Sequence, residues 1–313
     1  MLAYVARRLG FLLLVALFVS FLTFSLLRLA PGDPAELIAI GKFGENVTAE
    51  QVEQVRRQRG FDAPLVVQYG RWCARAARGD LGESVVSGRP VAREMLSRLP
   101  ATMELAGAAL LVSLLVGVPA GMVCAARRGG AVDAAARGGA LLGVSVPHFW
   151  LALLLILVFS LRLGWLPSFG SGGAAHLILP AVTVGVGMSA LTTRVTRSSA
   201  VEVLSQPYVR TARAKGLNER IVLWKHVLKN SLIPTVTVLG LQFGRVLEGA
   251  VIVETVFGRP GIGRLLVSSV FARDFAVVQG CVLLFAAIFV TVNLLVDVAY
   301  AWLDPRIHYG RRG

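Results

Sequence analysis

Six apolar runs, separated by polar segments, dominate the chain. They cover residues 9–29, 101–125, 140–161, 177–193, 233–253 and 276–302. A helix needs about 20 apolar residues to cross the hydrocarbon core of a bilayer. The run at 177–193 lies at the low end of the allowed range, and the others reach it comfortably. The pattern therefore predicts an all-α, polytopic membrane protein with six transmembrane helices.

The composition supports this class. Of the 313 residues, 55% are hydrophobic and only 16% are charged, whereas soluble domains are about 45–50% apolar and about 25% charged. The mean hydropathy is +0.68. These values argue against a disordered chain and an ordinary cytosolic enzyme. The net charge of +14 would suggest nucleic acid in a soluble protein, but in a membrane protein it is typical of basic loops at the cytoplasmic surface.

The first apolar run has two interpretations. Arg7 and Arg8 precede it, as basic residues precede the core of a secretory signal peptide. However, the run is longer than a signal core, and no small-residue cleavage motif follows it. We interpret it as an uncleaved first span.

The charges of the loops indicate the orientation. The tails and even-numbered loops (1–8, 126–139, 194–232 and 303–313) hold 16 Lys and Arg against 4 acidic residues. The odd-numbered segments hold 14 Lys and Arg, but 10 of these lie in the long segment 30–100, and loops of more than about 60 residues translocate largely regardless of charge. Without that segment, the tails and even-numbered loops hold 16 Lys and Arg and the odd-numbered segments hold 4, which predicts that both termini are cytoplasmic.

The long outer segment, residues 31–100, carries helix signals of its own. Thr48 and Gln51 form a capping box, and Gly60 is a stop signal. Pro64 opens a second helix, which Gly79 closes. The apolar face of that helix is formed by Leu65, Tyr69, Trp72 and Ala76. Two interpretations stay open: a small cap on the outer ends of the spans, or a docking surface for an external partner.

The cytoplasmic segment 194–232 is predicted to form two short helices around a glycine. The first helix, 208–215, ends at Gly216, which can adopt the left-handed conformation. Asn218 then caps a second helix that runs to about residue 230. Its apolar stripe is formed by Ile221, Trp224, Val227 and Leu228. The alternatives are a module that packs on a partner and a basic helix that lies on the membrane surface.

Sequence motifs for a nucleotide-binding, metal-binding or catalytic site are weak. Gly258 and Gly263 are spaced as in a phosphate-binding loop, but Arg264 and Leu265 replace the required Lys and Ser or Thr. No spacing typical of a zinc site occurs, and Gly185 and Gly187 lie inside an apolar run, where they suit helix packing. We therefore expect a non-catalytic chain that binds no cofactor or metal itself.

Some polar residues lie within the predicted spans, where ionisable groups usually face the bundle interior or a water path. Gln242, Arg245 and Glu248 lie on the fifth span, and Asn293 lies on the sixth. These four are candidates for the translocation pathway. A structural ion pair between Arg245 and Glu248 is the alternative.

Seven stretches resemble one family over nearly the whole length. They are Pro31-Gly32-Asp33-Pro34; Gly79-Asp80-Leu81-Gly82 with Ser84 and Pro90-Val91; Leu99-Pro100-Ala101-Thr102; Ser145-Val146-Pro147-His148-Phe149-Trp150-Leu151; the stretch from Tyr208 to Leu217; the stretch from Val236 to Gly263; and Leu303-Asp304-Pro305-Arg306. Together they resemble the permease subunit of bacterial ABC importers of the dipeptide, oligopeptide and nickel group. The Glu-Ala-Ala opening of the general importer loop reads Arg210-Thr211-Ala212 here, as in the peptide group.

The resemblance implies half of a translocation pore. A second, similar permease would form the other half, and a soluble extracytoplasmic binding protein would deliver the substrate. Two cytoplasmic ATPases, which hold the ATP and Mg²⁺, would dock on the loop. The loop residues that would couple this chain to the ATPases are Tyr208, Arg210, Ala212, Arg213, Lys215, Gly216 and Leu217.

This interpretation divides the chain into four parts. They are a tail with the first span (1–30), an extracytoplasmic helical segment (31–100), a five-helix permease core with the coupling loop 194–232 (101–302), and a cytoplasmic tail (303–313). The whole chain is expected in the bacterial inner membrane. Two other classes remain as alternatives. A proton-coupled secondary transporter would show inverted repeats, and an intramembrane enzyme would need a nucleophile–base or metal pair within the spans; we find neither pattern in the sequence.

Overall fold

The computed structural model describes residues 2–29, 32–44 and 46–303, without the side chains of 2–9, 11–12, 28–29, 141–142, 144, 245 and 297–303. The side chain of Arg245, a predicted pathway residue, and residues 304–313 of the C-terminal tail therefore lie outside the described part. Thirteen α-helices and two π-helical segments form the described part. The helices are α1 Leu2–Leu29, α2 Pro34–Phe43, α3 Ala49–Arg59, α4 Leu65–Ala76, α5 Val91–Ala126, α6 Ala131–Ser145, α7 His148–Leu155, α8 Ala175–Leu204, α9 Pro207–Ala214, α10 Glu219–Ile221, α11 Leu228–Val256, α12 Ile262–Phe271 and α13 Phe275–Leu303. The π-helical segments are Ile156–Arg162 and Val222–Val227.

Several of these helices are long and apolar enough to cross a membrane. Within the described residues there are three, Val91–Ala126, Ala175–Leu204 and Phe275–Val296. A fourth is added if the bent pair Glu219–Gly244 and Val246–Val256 is counted as one span. Shorter apolar helices cover Leu13–Leu27, His148–Arg162 and Ile262–Phe271. The all-helical class is confirmed, whereas the number of six spans and their orientation stay predictions.

The chain forms two compact units. The first comprises Met1–Ala101 and Pro260–Val290, and the second comprises Thr102–Arg259 and Thr291–Gly313. Helices α5 and α13 each contribute residues to both units.

In the first unit, the helix signals of the outer segment are realised. Thr48 and Gln51 form the reciprocal capping box of α3, and Gly60 ends that helix with φ +69°. Helix α4 packs on α1 through Tyr69, whose hydroxyl donates to the Leu17 carbonyl oxygen at 2.8 Å. Trp72 on the same face is buried. The predicted apolar face of α4 therefore covers part of the first span.

In the second unit, glycines bring α5 and α8 into close contact. An ideal Cβ at Gly117 would lie 2.6 Å from Thr192 Cβ, and one at Gly185 would lie 2.7 Å from the Ala109 carbonyl oxygen. Helices separated by so little require residues without side chains at these positions. The prediction that Gly185 serves helix packing is confirmed.

The predicted third span is interrupted. The apolar run 140–161 is divided between α6, which begins at Ala131 and ends at Ser145, and α7, which begins at His148. Pro147 is the N-cap of α7. A proline restricts the preceding residue to extended conformations and cannot donate a helical hydrogen bond. Hydrophobicity alone does not show this break.

Candidate functional site

The residues 207–227, called the 207–227 segment below, form the predicted helix–glycine–helix element. Helix α9 is followed by Gly216 with φ +77°, and the Asn218 side chain accepts a hydrogen bond from the Arg220 amide at the start of α10. Arg213 closes the turn because its Nε and Nη2 atoms donate to the Glu219 carboxylate at 3.0 and 2.6 Å. This bidentate contact lowers the pKa of Glu219. Gly216 and Asn218 thus have the roles that the sequence predicts.

The second helix differs from the prediction in its periodicity. It does not end near residue 230 but continues through the π-helical segment Val222–Val227 into α11, Leu228–Val256. A π-helix forms i→i+5 hydrogen bonds and has more residues per turn than the 3.6 of an α-helix, so residues five apart lie near one face. Val222 and Val227 therefore share the buried face, with 0% of each exposed. Of the predicted apolar stripe, Val227 packs inside this chain, whereas Ile221 and Trp224 are 45% and 56% exposed and remain available to a partner.

The buried face holds the 207–227 segment against the rest of the second unit. Its residues join one apolar cluster with side chains of α5 and α8, so the segment is packed directly on those helices. The buried members are Val118, Met122, Ala125, Ala200, Val209, Ala212, Val222 and Val227.

The opposite face is an exposed apolar surface with a basic rim. Tyr208, Leu217, Ile221 and Trp224 are its large apolar members, each between 37% and 56% exposed. Arg210, Arg213 and Lys215 are also exposed. Among the coupling residues predicted from the sequence, only Ala212 is buried. The segment therefore presents to solvent both aromatic side chains and cations.

The predicted pathway residues lie in different surroundings. Gln242 is 3% exposed and donates from Nε2 to Thr192 Oγ1 of α8 at 3.2 Å. Glu248 is exposed, and Asn293 is half-buried. The structure therefore places Gln242 inside a helix interface of this chain, whereas Glu248 faces outward.

The sequence analysis missed an ion pair between α6 and α8, of which the carboxylate is buried. Asp133 of α6 is 1% exposed and accepts hydrogen bonds from Arg197 Nε and Nη2 at 2.6 and 2.8 Å. The Gly129 amide donates to the same carboxylate at 3.1 Å. The hydrogen bonds from Arg197 come first among the causes that lower the pKa of Asp133. Asp133 is the only acid in the predicted loop 126–139, and this was the available signal.

Two further polar contacts lie near the C-terminal end of α11. Thr102 Oγ1 donates to Glu254 Oε1 at 2.6 Å, and both side chains are fully buried. Arg259, 4% exposed by its side chain, donates from Nη2 to Glu104 Oε2 at 3.0 Å. Thus polar contacts join α5 to α11 and to the turn that follows α11, and no local sequence pattern predicts them.

Long apolar helices, close glycine packing and an anchored helix–glycine–helix element define a class: an all-helical, polytopic membrane protein. Residues 117–309 match the family of the binding-protein-dependent transport system inner membrane component. Residues 1–106 match the N-terminal part of the corresponding membrane component. The chain belongs to this family, and it is a permease subunit of an ABC importer.

Individual relatives agree with this membership. The chain is 46% identical to the glutathione transport system permease protein GsiC of Escherichia coli O6:H1 (strain CFT073), over 99% of this chain and 100% of the relative. The K12 strain protein of the same name has the same identity and coverage. Among solved structures, the inward-facing MetNI methionine ABC transporter matches with a TM-score of 0.57 at 16% identity, covering 67% of this chain and 96% of that chain. This last likeness concerns the fold.

Family membership confirms three expectations from the sequence. The chain is a transport subunit of the bacterial inner membrane. It is not an enzyme, because ATP hydrolysis in such systems belongs to separate ATPase subunits. A binding protein, ATPase subunits and a second permease are the partner classes that the family implies.

Proposed function

We propose that this chain forms half of the translocation pathway of an ATP-driven importer of small peptides. A second homologous permease forms the other half, an extracytoplasmic binding protein delivers the peptide, and two ATPases dock on the 207–227 segment and hold the ATP and Mg²⁺. The relatives named for glutathione, itself a tripeptide, support a substrate of that size, since they are 46% identical over 99% of the chain. Nickel is the second substrate class that the sequence resemblance includes.

One observation carries the coupling part of this proposal. The 207–227 segment is fixed to α5 and α8 by buried Val209, Val222 and Val227, while Tyr208 and Trp224 are exposed. Exposed aromatic side chains next to cations are typical of the centre and rim of protein interfaces. A segment that is rigidly attached on one face and free on the other transmits the motion of whatever binds it.

The orientation is part of the proposal: six spans with both termini in the cytoplasm. Cys73 of α4 then lies outside and is partly exposed, whereas the other two cysteines, Cys124 and Cys281, are buried. A membrane-impermeant maleimide should therefore label wild-type protein in intact cells whose outer barrier is permeabilised, and Cys73→Ser should remove the label. Labelling that requires lysis of the inner membrane would reverse the orientation.

The coupling role is tested by Gly216→Val. No atom lies within 4 Å of an ideal Cβ at Gly216, so the added Cβ meets open space and the main effect comes from the φ of +77°. A residue with a Cβ pays roughly 1–2 kcal/mol in this conformation, which changes a conformational equilibrium by about 5- to 30-fold. We expect substrate-stimulated ATPase activity and peptide uptake of the reconstituted complex to fall several-fold, with normal membrane insertion.

Gly129→Val is the matched control. Gly129 has φ +79°, equally open surroundings, and a place in the other predicted cytoplasmic loop. It carries the same backbone strain outside the 207–227 segment, so stimulation should fall much less. Equal loss in both variants, or wild-type stimulation in Gly216→Val, would show that the 207–227 segment is not the coupling element.

A further inference from the structure

The first unit contains a cavity of about 1050 Å³. Ligand pockets in proteins usually measure about 300–1,000 Å³, so the space accommodates a molecule of several residues. Its walls come from α1, α2, α3, α4, the loop 81–88 and the start of α13. Apolar side chains such as Trp72 and Phe275 lie beside the polar ones.

The charged side chains around this cavity are strongly unbalanced. Six cations line it against a single acid among the described residues, Glu83. Glu83 pairs with Arg59 at 3.5 Å, and Arg57 pairs with Glu53 outside the lining at 3.0 Å. The other four cations have no acidic partner in the part of the chain that the structure describes; they are Lys42, Arg71, Arg75 and Arg273.

Two of these arginines lie beside glycines with positive φ, Gly60 at +69° and Gly32 at +126°. An ideal Cβ at Gly60 would lie 2.7 Å from Arg71 Nη1, and one at Gly32 would lie 3.2 Å from Arg273 Nη1. Arg273 itself has φ +55°, the one positive φ at a described residue other than glycine. Such a conformation is uncommon and is maintained only when surrounding contacts fix it.

The neighbouring Asp274 supplies those contacts. It is 1% exposed and accepts a hydrogen bond from Ser84 Oγ at 2.5 Å. Its amide donates to the Ser269 carbonyl oxygen at 2.8 Å. The carboxylate of Asp274 is thus used to join the loop 81–88 to the turn before α13, while the guanidinium of Arg273 remains at the cavity.

A second, independent feature of the wall is an unpartnered donor. Gln279 of α13 lines the cavity, is 5% exposed, and its Nε2 finds no hydrogen-bond partner in the described part of the chain. A buried donor without a partner costs about 1–3 kcal/mol. Nε2 is not accessible to solvent, so a ligand oxygen can meet it only if the Gln279 side chain turns towards the cavity.

We propose that this cavity is a binding site for a small peptide through its carboxylates. Arginine matches a carboxylate with two parallel hydrogen bonds, and a cleft lined by one sign of charge raises the local concentration of the opposite sign. Arg71 and Arg273 are the carboxylate partners, and Gln279 donates to a further ligand oxygen. The inference rests on the proposed peptide importer and adds to it a preference for acidic peptides at a site on the permease itself.

Equilibrium binding to the complete complex in lipid nanodiscs, without binding protein, tests the proposal. The probes are radiolabelled alanyl-glutamyl-glycine, with two carboxylates, and alanyl-glutaminyl-glycinamide, which has the same N-terminal ammonium group but no carboxylate. We expect the acidic peptide to bind and the amide to bind at least tenfold more weakly. Arg71→Gln and Arg273→Gln should each raise the Kd for the acidic peptide about tenfold, as expected for a charge-assisted hydrogen bond. Arg71→Lys keeps the charge but loses the bidentate geometry, so its Kd should lie between those of the wild type and Arg71→Gln.

Arg93→Gln is the matched control, because Arg93 is an exposed arginine of the same unit that does not line the cavity. The Kd of the Arg93→Gln variant for the acidic peptide should equal that of the wild type. Equal binding of the two probes, no binding of the acidic peptide, or equal effects of Arg71→Gln and Arg93→Gln would each overturn the proposal.

Import and ATPase activity of the same complex with its binding protein separate this inference from the proposed function. A complex that imports peptides without any effect of Arg71→Gln on binding refutes the cavity site alone. A complex that binds the acidic peptide at the cavity but imports no peptide refutes the proposed function and leaves the site standing.

Discussion

The glycine pair at the contact of α5 with α8 allows a quantitative prediction. An ideal Cβ at Gly117 would lie 2.6 Å from Thr192 Cβ and 3.0 Å from the Ser189 carbonyl oxygen; at Gly121 it would lie 2.6 Å from Thr196 Cβ. Favourable carbon–carbon contacts are about 3.5–4.0 Å long. Alanine at either position must therefore push the helices apart by about 1 Å, since the neighbours include backbone that cannot rotate away.

The cost follows from two opposing effects. Overpacking a well-packed contact costs about 1–3 kcal/mol, and alanine gains about 0.5–1 kcal/mol over glycine in a helix. We expect Gly117→Ala and Gly121→Ala each to lower the free energy of unfolding by about 1–2 kcal/mol. One separation of the helices relieves both clashes, so the double variant should lose about 1 kcal/mol less than the sum of the single losses.

The measurement is the free energy of unfolding of the purified permease in lipid bicelles, obtained by steric trapping. Gly107→Ala is the control, because Gly107 lies on the same helix, is exposed, and has no atom within 4 Å of an ideal Cβ. It should lose no stability. If Gly117→Ala is as stable as Gly107→Ala, or if the double variant loses the full sum, the close contact is not what limits the side chain at these positions.

Two further predictions concern charged side chains. Glu248→Gln should lower peptide uptake in proteoliposomes while the complex assembles normally, because Glu248 is exposed on α11 and we expect it to line the pathway; unchanged uptake by a fully assembled variant would contradict this. Asp133→Asn should lower the thermal midpoint of unfolding at pH 7, since it removes the acceptor of Arg197. The folded pKa of Asp133 is depressed below its ordinary 3.8, so this stabilisation is present above pH 3.8 and disappears as the pH falls towards the folded pKa. A difference between wild type and variant that does not shrink below pH 3.8 would show that the charge of Asp133 is not its cause.

Local patterns in the sequence predicted much of the secondary structure and the membrane class. Apolar runs marked the long helices because the bilayer sets a minimum length for them. The capping box at Thr48 and the glycine turn at Gly216 were predictable because each depends on a few neighbouring residues. The seven motif stretches also indicated the permease family before any geometry was known.

The register of the 207–227 segment was decided by tertiary packing. A 3.6-residue period places Ile221 and Trp224 on one apolar stripe with Val227, but within this chain the π-helical segment buries Val222 and Val227 against α5 and α8. The two valines are stabilised by packing on residues of α5 that lie more than 90 positions away in the sequence. No window of local sequence contains that information.

The ion pairs and the cavity were also decided only by the fold. Asp133 and Arg197 are 64 positions apart, and Ser84 and Asp274 are 190 positions apart. The cavity joins Arg71 of α4 with Arg273 of the turn before α13. The sequence by itself determined that these side chains are charged and where the helices that carry them begin, because those properties are local. The packing of distant helices decides which charges form ion pairs and which cations line the cavity. An ion pair or a cavity is formed by atoms that only the tertiary structure brings within a few ångströms.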